Sequence, residues 1–544
     1  MDLHFATAWE VIAETVPDRP AVICDDVVLT WREFEARSAR IATVFADCGL
    51  NTDSKVGLYL HNSSVYLEAQ FGTFKNRGCP VNVNYRYKAD ELVYLLDNAD
   101  VEAIVYQGCY APRISEIRAQ LPKVKLFIQV DDGTETLLDG AIDYERAISD
   151  NPPMPPVQRD PEEIYMLYTG GTTGLPKGVM YPIGQFCHAV TAMGALGREM
   201  EPPETVADLP AYIRAIPAAP VSLVTCPLMH GTGMWLGCFV PMMAGGTVVM
   251  TSKPGLDPDL LWSLVARHGV TDVVIVGDAF ARPMLASLDA AKLRGEPYDL
   301  SSVKQIASSG VMWSVEVKQG LLEHHDMVLA DIMGSSEGGM GSSTMTRDAS
   351  ADTAKFQINE GVKVFTDDAR EVTPGSGEIG MLATSGMVPI GYYKDPDKSA
   401  ETFREIDGVR YSFPGDYATI EGDGSITLLG RGSVCINTAG EKVFPEEVEE
   451  AVKRHADIYD CLVVGVPDER FGERVVAVAS YCDGLAGDAG CQESELIDFT
   501  RQHLAGYKLP KHVLFVDQVQ RAPNGKADYK WAKGEALNAF TDPG

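Results

Sequence analysis

The most distinctive segment of the chain is rich in glycine and threonine: Tyr168-Thr169-Gly170-Gly171-Thr172-Thr173-Gly174-Leu175-Pro176-Lys177-Gly178. Its four glycines and three threonines allow backbone N–H groups and hydroxyls to converge on an anion, and Lys177 adds a positive charge. The spacing is not that of a Walker A loop, because no Gly-Lys-Ser/Thr occurs. An apolar segment, 164–167, leads straight into the stretch, which favours an ordered loop after a strand over a flexible turn. We therefore predict a phosphate cradle.

Helical and strand patterns alternate on both sides of this loop. Apolar residues at helical spacing predict helices over 29–48, 64–77 and 258–268, and short apolar runs predict strands over 55–60, 80–83 and 270–276. Thr30 is a candidate cap for the first helix. Repeated β–α units of this kind indicate largely parallel sheets covered by helices.

The alternation of helical and strand patterns is interrupted twice along the chain. Four prolines within 150–160 indicate a surface linker, and from Gly375 onwards short glycine-punctuated strands predict a β-rich subdomain. After a turn near 430–436, the segment 445–455 is typical of a helix, and 460–467 and 475–480 are typical of strands.

These patterns predict an α/β multi-domain fold. We expect residues 1–430 to form a large N-terminal domain of helix-covered sheets with the β-rich subdomain. Residues 431–436 would be a hinge, and 437–544 a small, mobile α+β C-terminal domain.

Composition narrows the class of protein. The chain has 544 residues, with 46 Lys and Arg against 77 Asp and Glu, a net charge of −31, and 45% apolar residues. This is a multi-domain globular composition. The acidic excess disfavours nucleic acid or an anionic membrane as the main partner, so the positive field for an anionic substrate must be local.

Two further features concern location. The eleven cysteines are scattered without a CxxC pair, and the first twenty residues lack a basic segment followed by an apolar core, so we expect a cytoplasmic protein without a signal peptide. The uncharged stretch 231–252 is about long enough to cross a bilayer. Its five glycines and Pro241 favour a buried strand–turn–strand layer or a pocket wall instead, so no transmembrane segment is predicted.

The predicted cradle resembles the signature of the adenylate-forming enzymes, which include acyl-CoA synthetases, peptide-synthetase adenylation domains and beetle luciferases. The resemblance extends over nearly the whole chain, in the family's order and spacing, through 29–63, 333–339, 389–403, 412–431, 440–449 and 521–530. The sequences of the cradle, of MGSSEGG (333–339) and of 430–449 most closely resemble those of actinobacterial synthetases that activate sterol side-chain acids or fatty acids.

The resemblance implies two half-reactions that use ATP, Mg²⁺ and coenzyme A. A carboxylate attacks the α-phosphate of ATP to give an acyl-adenylate and pyrophosphate, and the thiol of coenzyme A then displaces AMP. Both reactants of the first step are anions, so cations and oriented donors must act at the transferring phosphate. The main hypothesis is an AMP-forming acid–CoA ligase for a medium- or long-chain fatty acid or a sterol side-chain acid.

The resemblance also assigns catalytic candidates. Lys526 would bridge the carboxylate and the α-phosphate. Glu337 would bind Mg²⁺, with the hydroxyl of Ser336 beside it, and Thr173 would be a second ligand. His230 would line the acyl pocket, although a packed core histidine is an equally good interpretation of its pattern.

The remaining predicted sites follow the same motifs. Asp416 and Arg431 would contact the ribose, Ser309 and Gly310 the adenine, and the loop of Gly440 and Lys442 the pantetheine arm. The full nucleotide and coenzyme A set comprises Thr169, Gly170, Gly171, Thr172, Thr173, Gly174, Lys177, Ser309, Gly310, Ser336, Asp416, Arg431, Gly440 and Lys442. The predicted acyl pocket comprises Met229, Met234, Trp235, Gly277, Gly338, Gly339 and Met340.

Three positions depart from the family pattern. Gly170 stands where most members have serine, Met333 where an aromatic residue commonly stacks on adenine, and Val434 where the hinge usually has Asp or Lys. None removes a group that the chemistry requires.

Other functions remain open. The chain could be an adenylation enzyme that supplies a separate carrier protein, or a non-catalytic acyl or nucleotide binder. Retention of the charged motif residues disfavours the second. Luciferase-type oxidation is disfavoured because 228–240 holds a single histidine. A homodimer is compatible with the sequence.

Overall fold

The computed structural model describes residues 3–170, 175–438, 441–468, 472–482, 485, 490–522 and 525–540. Its helices are α1 (Phe5–Thr15), α2 (Trp31–Asp47), α3 (Ser64–Lys75), α4 (Ala89–Asn98), α5 (Ala111–Ile117), α6 (Tyr144–Asp150), α7 (Ile183–Leu196), α8 (Leu209–Ala215), α9 (Val240–Met243), α10 (Pro258–His268), α11 (Gly277–Leu293), α12 (Val315–His324), α13 (Pro396–Thr402), α14 (Pro445–Lys453), α15 (Glu493–Thr500) and α16 (Tyr529–Phe540). A π-helical segment, Thr232–Phe239, precedes α9.

The strands are β1 (Pro20–Cys24), β2 (Val27–Thr30), β3 (Lys55–Tyr59), β4 (Cys79–Asn82), β5 (Val101–Gln107), β6 (Leu126–Val130), β7 (Ile142–Asp143), β8 (Ile164–Thr169), β9 (Lys177–Pro182), β10 (Val221–Val224), β11 (Thr247–Met250), β12 (Asp272–Ile275), β13 (Gln305–Ser309) and β14 (Val328–Ser335). They continue with β15 (Gly338–Met345), β16 (Lys355–Ile358), β17 (Val362–Phe365), β18 (Gly380–Thr384), β19 (Gly391–Tyr392), β20 (Phe403–Ile406), β21 (Val409–Ser412), β22 (Asp416–Ile420), β23 (Ile426–Arg431), β24 (Ile436–Thr438), β25 (Glu441–Val443), β26 (Ile458–Asp468), β27 (Gly472–Tyr481) and β28 (His512–Phe515).

Local sequence accounts for the predicted helices. Thr30 begins α2 with a capping box, in which the Glu33 N–H donates to Thr30 Oγ1 (3.2 Å) and the Thr30 N–H donates to Glu33 Oε2 (2.8 Å). Helix α10 begins after the Asp257 cap and ends at Gly269, whose φ of +61° is left-handed. These helices lie where the sequence predicts them.

A long sheet runs through the N-terminal part of the chain, in the order β2-β1-β11-β10-β12-β13-β14-β15-β16-β23-β22-β18-β21-β20, with β17 paired to β18. The neighbours from β1 to β14 are parallel, and the pairs from β14 to β20 are antiparallel. The antiparallel half is the predicted β-rich subdomain. Strands β13 and β14 end at Ser309 and Ser335, so predicted site residues lie at the carboxyl edge of the parallel half.

Two smaller sheets complete this part. The parallel sheet β4-β3-β5-β6-β7 packs beside the long one, and β8 and β9 form a hairpin with β19 along the edge of β9. Of the two alternatives predicted for 231–252, the strand–turn–strand layer is wrong, because the π-helical segment and α9 occupy most of it and β11 is its only strand among the described residues. The pocket-wall alternative agrees with the structure, in which Trp235, Leu236 and Val240 line a cavity. Because the stretch is apolar on every side, its sequence had no period that separates a buried strand from a buried helix.

Residues from Ile436 onwards build a separate small sheet. It has the order β25-β24-β27-β26, with β28 parallel to β27. Val448 and Val452 of α14 pack with Leu496 of α15 in one core, while Ala532 and Ala536 of α16 pack in another. This is the expected α+β unit, so the overall α/β architecture is confirmed. Within the described ranges, no helix has both the length and the apolar character needed to cross a membrane.

Candidate functional site

The glycine- and threonine-rich loop connects the two strands of a hairpin. Thr169 at the end of β8 and Lys177 at the start of β9 are direct cross-strand partners, so they flank the loop at its base. Four of the predicted phosphate-binding residues, Gly171, Thr172, Thr173 and Gly174, lie outside the described residues. At Gly170 an added Cβ would meet no atom of the described residues within 4 Å.

Two asparagines that sequence reasoning missed support this region. Asn82, at the end of β4, donates to the Tyr168 carbonyl (2.8 Å) and accepts from its N–H (2.7 Å), and it also donates to the Met229 carbonyl (2.7 Å). Asn62 donates to the Cys226 carbonyl (3.0 Å) and accepts from the Leu228 N–H (2.8 Å). Asn82 therefore joins the base of the loop to the segment before His230, and Asn62 joins that segment to the chain after β3. The available signal was their place just after parallel strands, where ligands bind.

The turn between β14 and β15 carries the predicted metal ligand. Tyr181 donates to the Ser336 carbonyl (2.9 Å), and Tyr392 donates to Glu337 Oε1 (2.8 Å). Burial raises the pKa of Tyr392, and Glu337 raises it further, so the hydroxyl keeps the proton that it donates. The ammonium of Lys177 lies 3.4 Å from Asp395 Oδ2. One half-buried carboxylate beside a phosphate loop fits Mg²⁺, which takes one or two carboxylates together with substrate phosphates.

Asp416 and Arg431 form a cross-strand pair. They are register partners on β22 and β23, and Arg431 Nε lies 3.3 Å from Asp416 Oδ1. Asp416 is the main cause of the raised pKa of Arg431, against the opposing effect of burial. The fifteen-residue spacing between them is thus the length of one β-hairpin, which brings the two side chains together.

Lys526 is presented on a tight hairpin of the C-terminal unit. Arg521 holds the hairpin, because its guanidinium donates to the Gly525 carbonyl (3.2 Å) and to both carboxylate oxygens of Asp460 (2.6 and 2.7 Å). Gly525 packs on the N-terminal domain, where a Cβ built on it would lie 2.8 Å from Ala279 Cβ. The Lys526 side chain is therefore inserted between the two parts of the chain, although water still reaches it.

Electrostatics link Lys526 to the other predicted residues. Desolvation by the surrounding protein lowers the pKa of Lys526, and the positive charge of Arg431 lowers it further. The negative charges of Glu337 and Asp416 partly offset this. The catalytic lysine, the metal ligand and the ribose-contacting pair predicted from sequence thus share one site. The cluster thus brings basic side chains together in a chain whose net charge is −31, although acidic side chains accompany them.

A cavity extends from this charged cluster into the N-terminal domain. The residues that line it include Lys526, Thr169, Ser336, Ser309, Gly310 and His230. Desolvation, reinforced by the positive charge of Lys526, lowers the pKa of His230 to about 3, so the imidazole is neutral at physiological pH.

Most of the remaining residues that line the cavity are apolar. One wall is α7, which contributes Phe186, Ala189, Val190 and Met193. These positions are spaced i, i+3, i+4 and i+7, so they share one helix face. The opposite wall is the π-helical segment and the start of α9, through Trp235, Leu236 and Val240. Met193 is 44% exposed, which places the far end of this apolar crevice at the protein surface.

The structure places the residues of the predicted acyl pocket in two different settings. Trp235, Gly338 and Gly339 line the cavity, and the Trp235 indole donates to the Tyr165 hydroxyl (2.7 Å). The methionines Met229, Met234 and Met340 are at most 2% exposed and face the protein interior, and Gly277 begins α11 against the backbone of Val311 and Met312. The residues of α7 that do line the crevice were missed, because a helix face built from common apolar residues looks like ordinary core.

The other positions are placed as follows. Met333 is 8% exposed and packs in the core of the β-rich subdomain, among Met340 and Leu382. Lys442 is exposed and its ammonium lies 5.3 Å from the centre of the Tyr417 ring, outside the cavity. Gly440 lies outside the described residues. Val434 ends a short 3₁₀ turn, 432–434, between β23 and β24.

Comparison with known families gives two matches. The AMP-binding enzyme family matches residues 9–393, and the AMP-binding enzyme C-terminal domain matches residues 447–526. The chain belongs to the AMP-binding enzyme family. The predicted family, and with it the assignment to AMP-forming enzymes, is confirmed.

Several characterised AMP-binding enzymes are similar over nearly their full length. A 3-oxocholest-4-en-26-oate–CoA ligase of Rhodococcus rhodochrous is 39% identical over 98% of this chain and 96% of its own. A medium/long-chain-fatty-acid–CoA/3-oxocholest-4-en-26-oate–CoA ligase of Mycolicibacterium smegmatis is 40% identical with the same coverage. The resemblance to actinobacterial fatty-acid and sterol-acid synthetases is thereby confirmed.

Solved structures agree on the fold of the AMP-binding enzymes. The anthranilate CoA ligase AuaEII in complex with anthranoyl-AMP superposes with a TM-score of 0.83 at 20% identity, covering 98% of both chains. A Mycobacterium tuberculosis fatty acyl CoA synthetase gives a TM-score of 0.71 at 19% identity, covering 98% of this chain and 99% of the other. At these identities the likeness concerns the fold alone.

Proposed function

We propose that this AMP-binding enzyme is an acyl-CoA ligase that activates a medium- or long-chain fatty acid or a sterol side-chain acid. The observation that carries the proposal is the cavity, which joins the cluster around Lys526 to an apolar crevice open at Met193. When the carboxylate of the acid lies at the charged end of the cavity, the hydrocarbon part of the acid lies between α7 and the π-helical segment. Burial of apolar surface there favours acids with long or bulky apolar groups, by about 25 cal/mol for each Å² buried.

Each residue of the charged cluster has a task in the first half-reaction. The loop between Thr169 and Lys177 would hold the β- and γ-phosphates, and Asp416 would accept hydrogen bonds from the ribose hydroxyls. Glu337 would hold Mg²⁺, which when bound neutralises charge on the phosphates. Lys526 would bring its ammonium to the α-phosphate and the acid carboxylate, so that two anions can approach.

The second half-reaction needs a different arrangement. We propose that residues 1–430 and 437–544 are domains joined by a hinge at 431–436. The hinge position is supported by the change of sheet between β23 and β24 and by the two separate family matches. Rotation about it would withdraw Lys526 and bring the loop of Gly440 and Lys442 to the cavity, opening a path for the thiol of coenzyme A past the neutral His230.

We also propose a cytoplasmic location. Seven cysteines are buried free thiols in the structure: Cys24, Cys79, Cys187, Cys226, Cys238, Cys461 and Cys491. Unpaired thiols in this number suit a reducing compartment.

The test is AMP release from ATP and Mg²⁺ across short-chain, long-chain, aromatic and steroidal acids, each with and without coenzyme A. We expect AMP to appear with long-chain or steroidal acids only when coenzyme A is present. Pyrophosphate release that is unaffected by coenzyme A would point to a carrier protein as acceptor. ATP binding without turnover of any acid would contradict the proposal.

A further inference from the structure

Tyr392 contacts both charged groups that the proposed chemistry places on the phosphates. Its hydroxyl donates to Glu337 Oε1 at 2.8 Å. The face of its ring lies 5.3 Å from the Lys177 ammonium, which is also 3.4 Å from Asp395 Oδ2. A single buried side chain, 7% exposed, therefore lies between the proposed metal ligand and the cation of the phosphate loop.

The surrounding structure fixes Tyr392 rigidly. Strand β19 pairs with β9, in which Tyr392 is the register partner of Val179, two residues after Lys177. The Tyr392 N–H donates to Ser399 Oγ (2.8 Å), and its ring packs on Phe403 at a centroid distance of 5.3 Å. Backbone pairing, hydrogen bond and ring contact together leave the hydroxyl one position.

Glu337 needs such a partner. A glutamate side chain has three rotatable bonds, and Glu337 is on a turn whose neighbours Gly338 and Gly339 contribute no side chains that pack against it. A hydrogen bond to one carboxylate oxygen fixes the direction of the other, which stays available for a cation. Groups that orient a metal ligand in this way commonly change metal affinity 10- to 100-fold when they are removed.

We propose that Tyr392 is a positioning residue that orients the Glu337 carboxylate for Mg²⁺ through its hydroxyl and steadies Lys177 through its ring. This inference rests on the proposed function, because it assumes that Glu337 binds Mg²⁺ with ATP. The two contacts use different parts of the side chain and can therefore be separated by substitution.

Tyr392→Phe removes the hydroxyl and keeps the ring, whereas Tyr392→Leu removes both. The matched control is Tyr393→Phe, since the neighbouring Tyr393 hydroxyl donates to Asp100 (2.7 Å) on the other side of the strand. Each variant is compared with the unsubstituted enzyme by calorimetric titration of ATP in EDTA and at a series of Mg²⁺ concentrations.

For Tyr392→Phe we expect the Mg²⁺ concentration that gives half-maximal enhancement of ATP binding to rise roughly tenfold. ATP affinity in EDTA stays within about twofold of the unsubstituted enzyme, because the ring still supports Lys177. Tyr392→Leu weakens binding in EDTA as well, by roughly two- to fivefold, as for a cation–π contact whose cation is partly solvated. Tyr393→Phe matches the unsubstituted enzyme in both conditions.

An unchanged Mg²⁺ midpoint in Tyr392→Phe would overturn the orienting role. Equal weakening with and without Mg²⁺ in that variant would also overturn it, since it would indicate a general structural defect. Unchanged EDTA binding in Tyr392→Leu would overturn the contact with Lys177. Failure of the unsubstituted enzyme to bind ATP at all would instead contradict the proposed function, so the two failures are distinguishable.

Discussion

At the scale of single residues, three basic side chains come together at the site of a chain whose net charge is −31. Lys177, Arg431 and Lys526 come from a loop base, a hairpin and the C-terminal unit, yet each is beside a carboxylate of Asp395, Asp416 or Glu337. Alternating charges limit the repulsion among the cations before a ligand arrives. A triphosphate can then replace these carboxylates as the partner of Lys177 and Lys526.

Lys526→Ala tests the division of labour between the half-reactions. We expect adenylation, measured as pyrophosphate release, to fall roughly 10²- to 10³-fold, the usual cost of losing one donor to a developing charge. Conversion of supplied acyl-adenylate to the CoA thioester should persist, because that step does not use the ammonium. Lys530→Ala, an exposed lysine four positions later, is the matched control. Equal loss of both half-reactions would contradict the assignment.

The charged residues of the site could be predicted from the sequence, but the side chains that hydrogen-bond to the site and orient it could not. Glu337, Asp416, Arg431 and Lys526 stand in motifs whose chemistry is recognisable, and the structure brings all four together. Tyr392, Asn82 and Asn62 act through hydrogen bonds to residues up to 166 positions away, which no local pattern encodes. Side chains that orient other side chains depend on register and packing, and these are properties of the folded chain.

At the scale of elements, the apolar crevice depends on an irregular helix. The π-helical segment widens the turn that carries Trp235 and Leu236, and such segments are frequent at functional sites. Gly233 and Gly237 let it approach the backbone of Pro227 and the side chain of Val224, where any Cβ would be closer than 3 Å. The glycines that excluded a membrane span in the sequence thus have a packing role here.

The regular helices could be predicted from the sequence, but the π-helical segment could not. Helix α10 was predicted to the residue from the helical spacing of its apolar residues, and in the structure an aspartate cap and a left-handed glycine mark its ends. The segment 231–252 lacks charged residues altogether, so neither a period of two nor one of 3.6 could be read from it. Its conformation is set by the contacts of tertiary structure.

Helix α7 should set the size of the acid that the enzyme accepts. Ala189 is the smallest residue on the face that lines the crevice, so Ala189→Phe would place a ring across it. We expect kcat/KM for long-chain and steroidal acids to fall roughly 10- to 100-fold, as for overpacking by 1–3 kcal/mol, with short acids little affected. Gln185→Phe adds the same ring at an exposed position of α7 and is the control. A uniform loss over all chain lengths would contradict this location of the acyl group.

At the scale of the whole molecule, charged side chains meet where α11 faces the C-terminal unit. Burial alone would lower the pKa of Arg282, but Asp278, Glu450 and Asp460 together raise it. Lys453 of α14, only 7% exposed, forms an ion pair with Glu450 and is also near Asp278. This interface accompanies the docking of Gly525 beside Ala279, so it belongs to the arrangement in which Lys526 is in the cleft.

Arg282→Glu should therefore act on one domain arrangement and not on the chemistry itself. A carboxylate at this position would face Glu450 and Asp460, and like charges opposed across an interface cost a few kcal/mol. We expect pyrophosphate release in the first half-reaction to slow by roughly tenfold or more. Thioester formation from supplied acyl-adenylate should be unchanged, or faster if leaving the first arrangement limits its rate. Lys292→Glu makes the same change of charge at an exposed site on α11 and should alter neither step. If Arg282→Glu slowed both steps equally while the melting temperature held, the interface would serve both arrangements, and a hinge rotation at 431–436 that separates them would be contradicted.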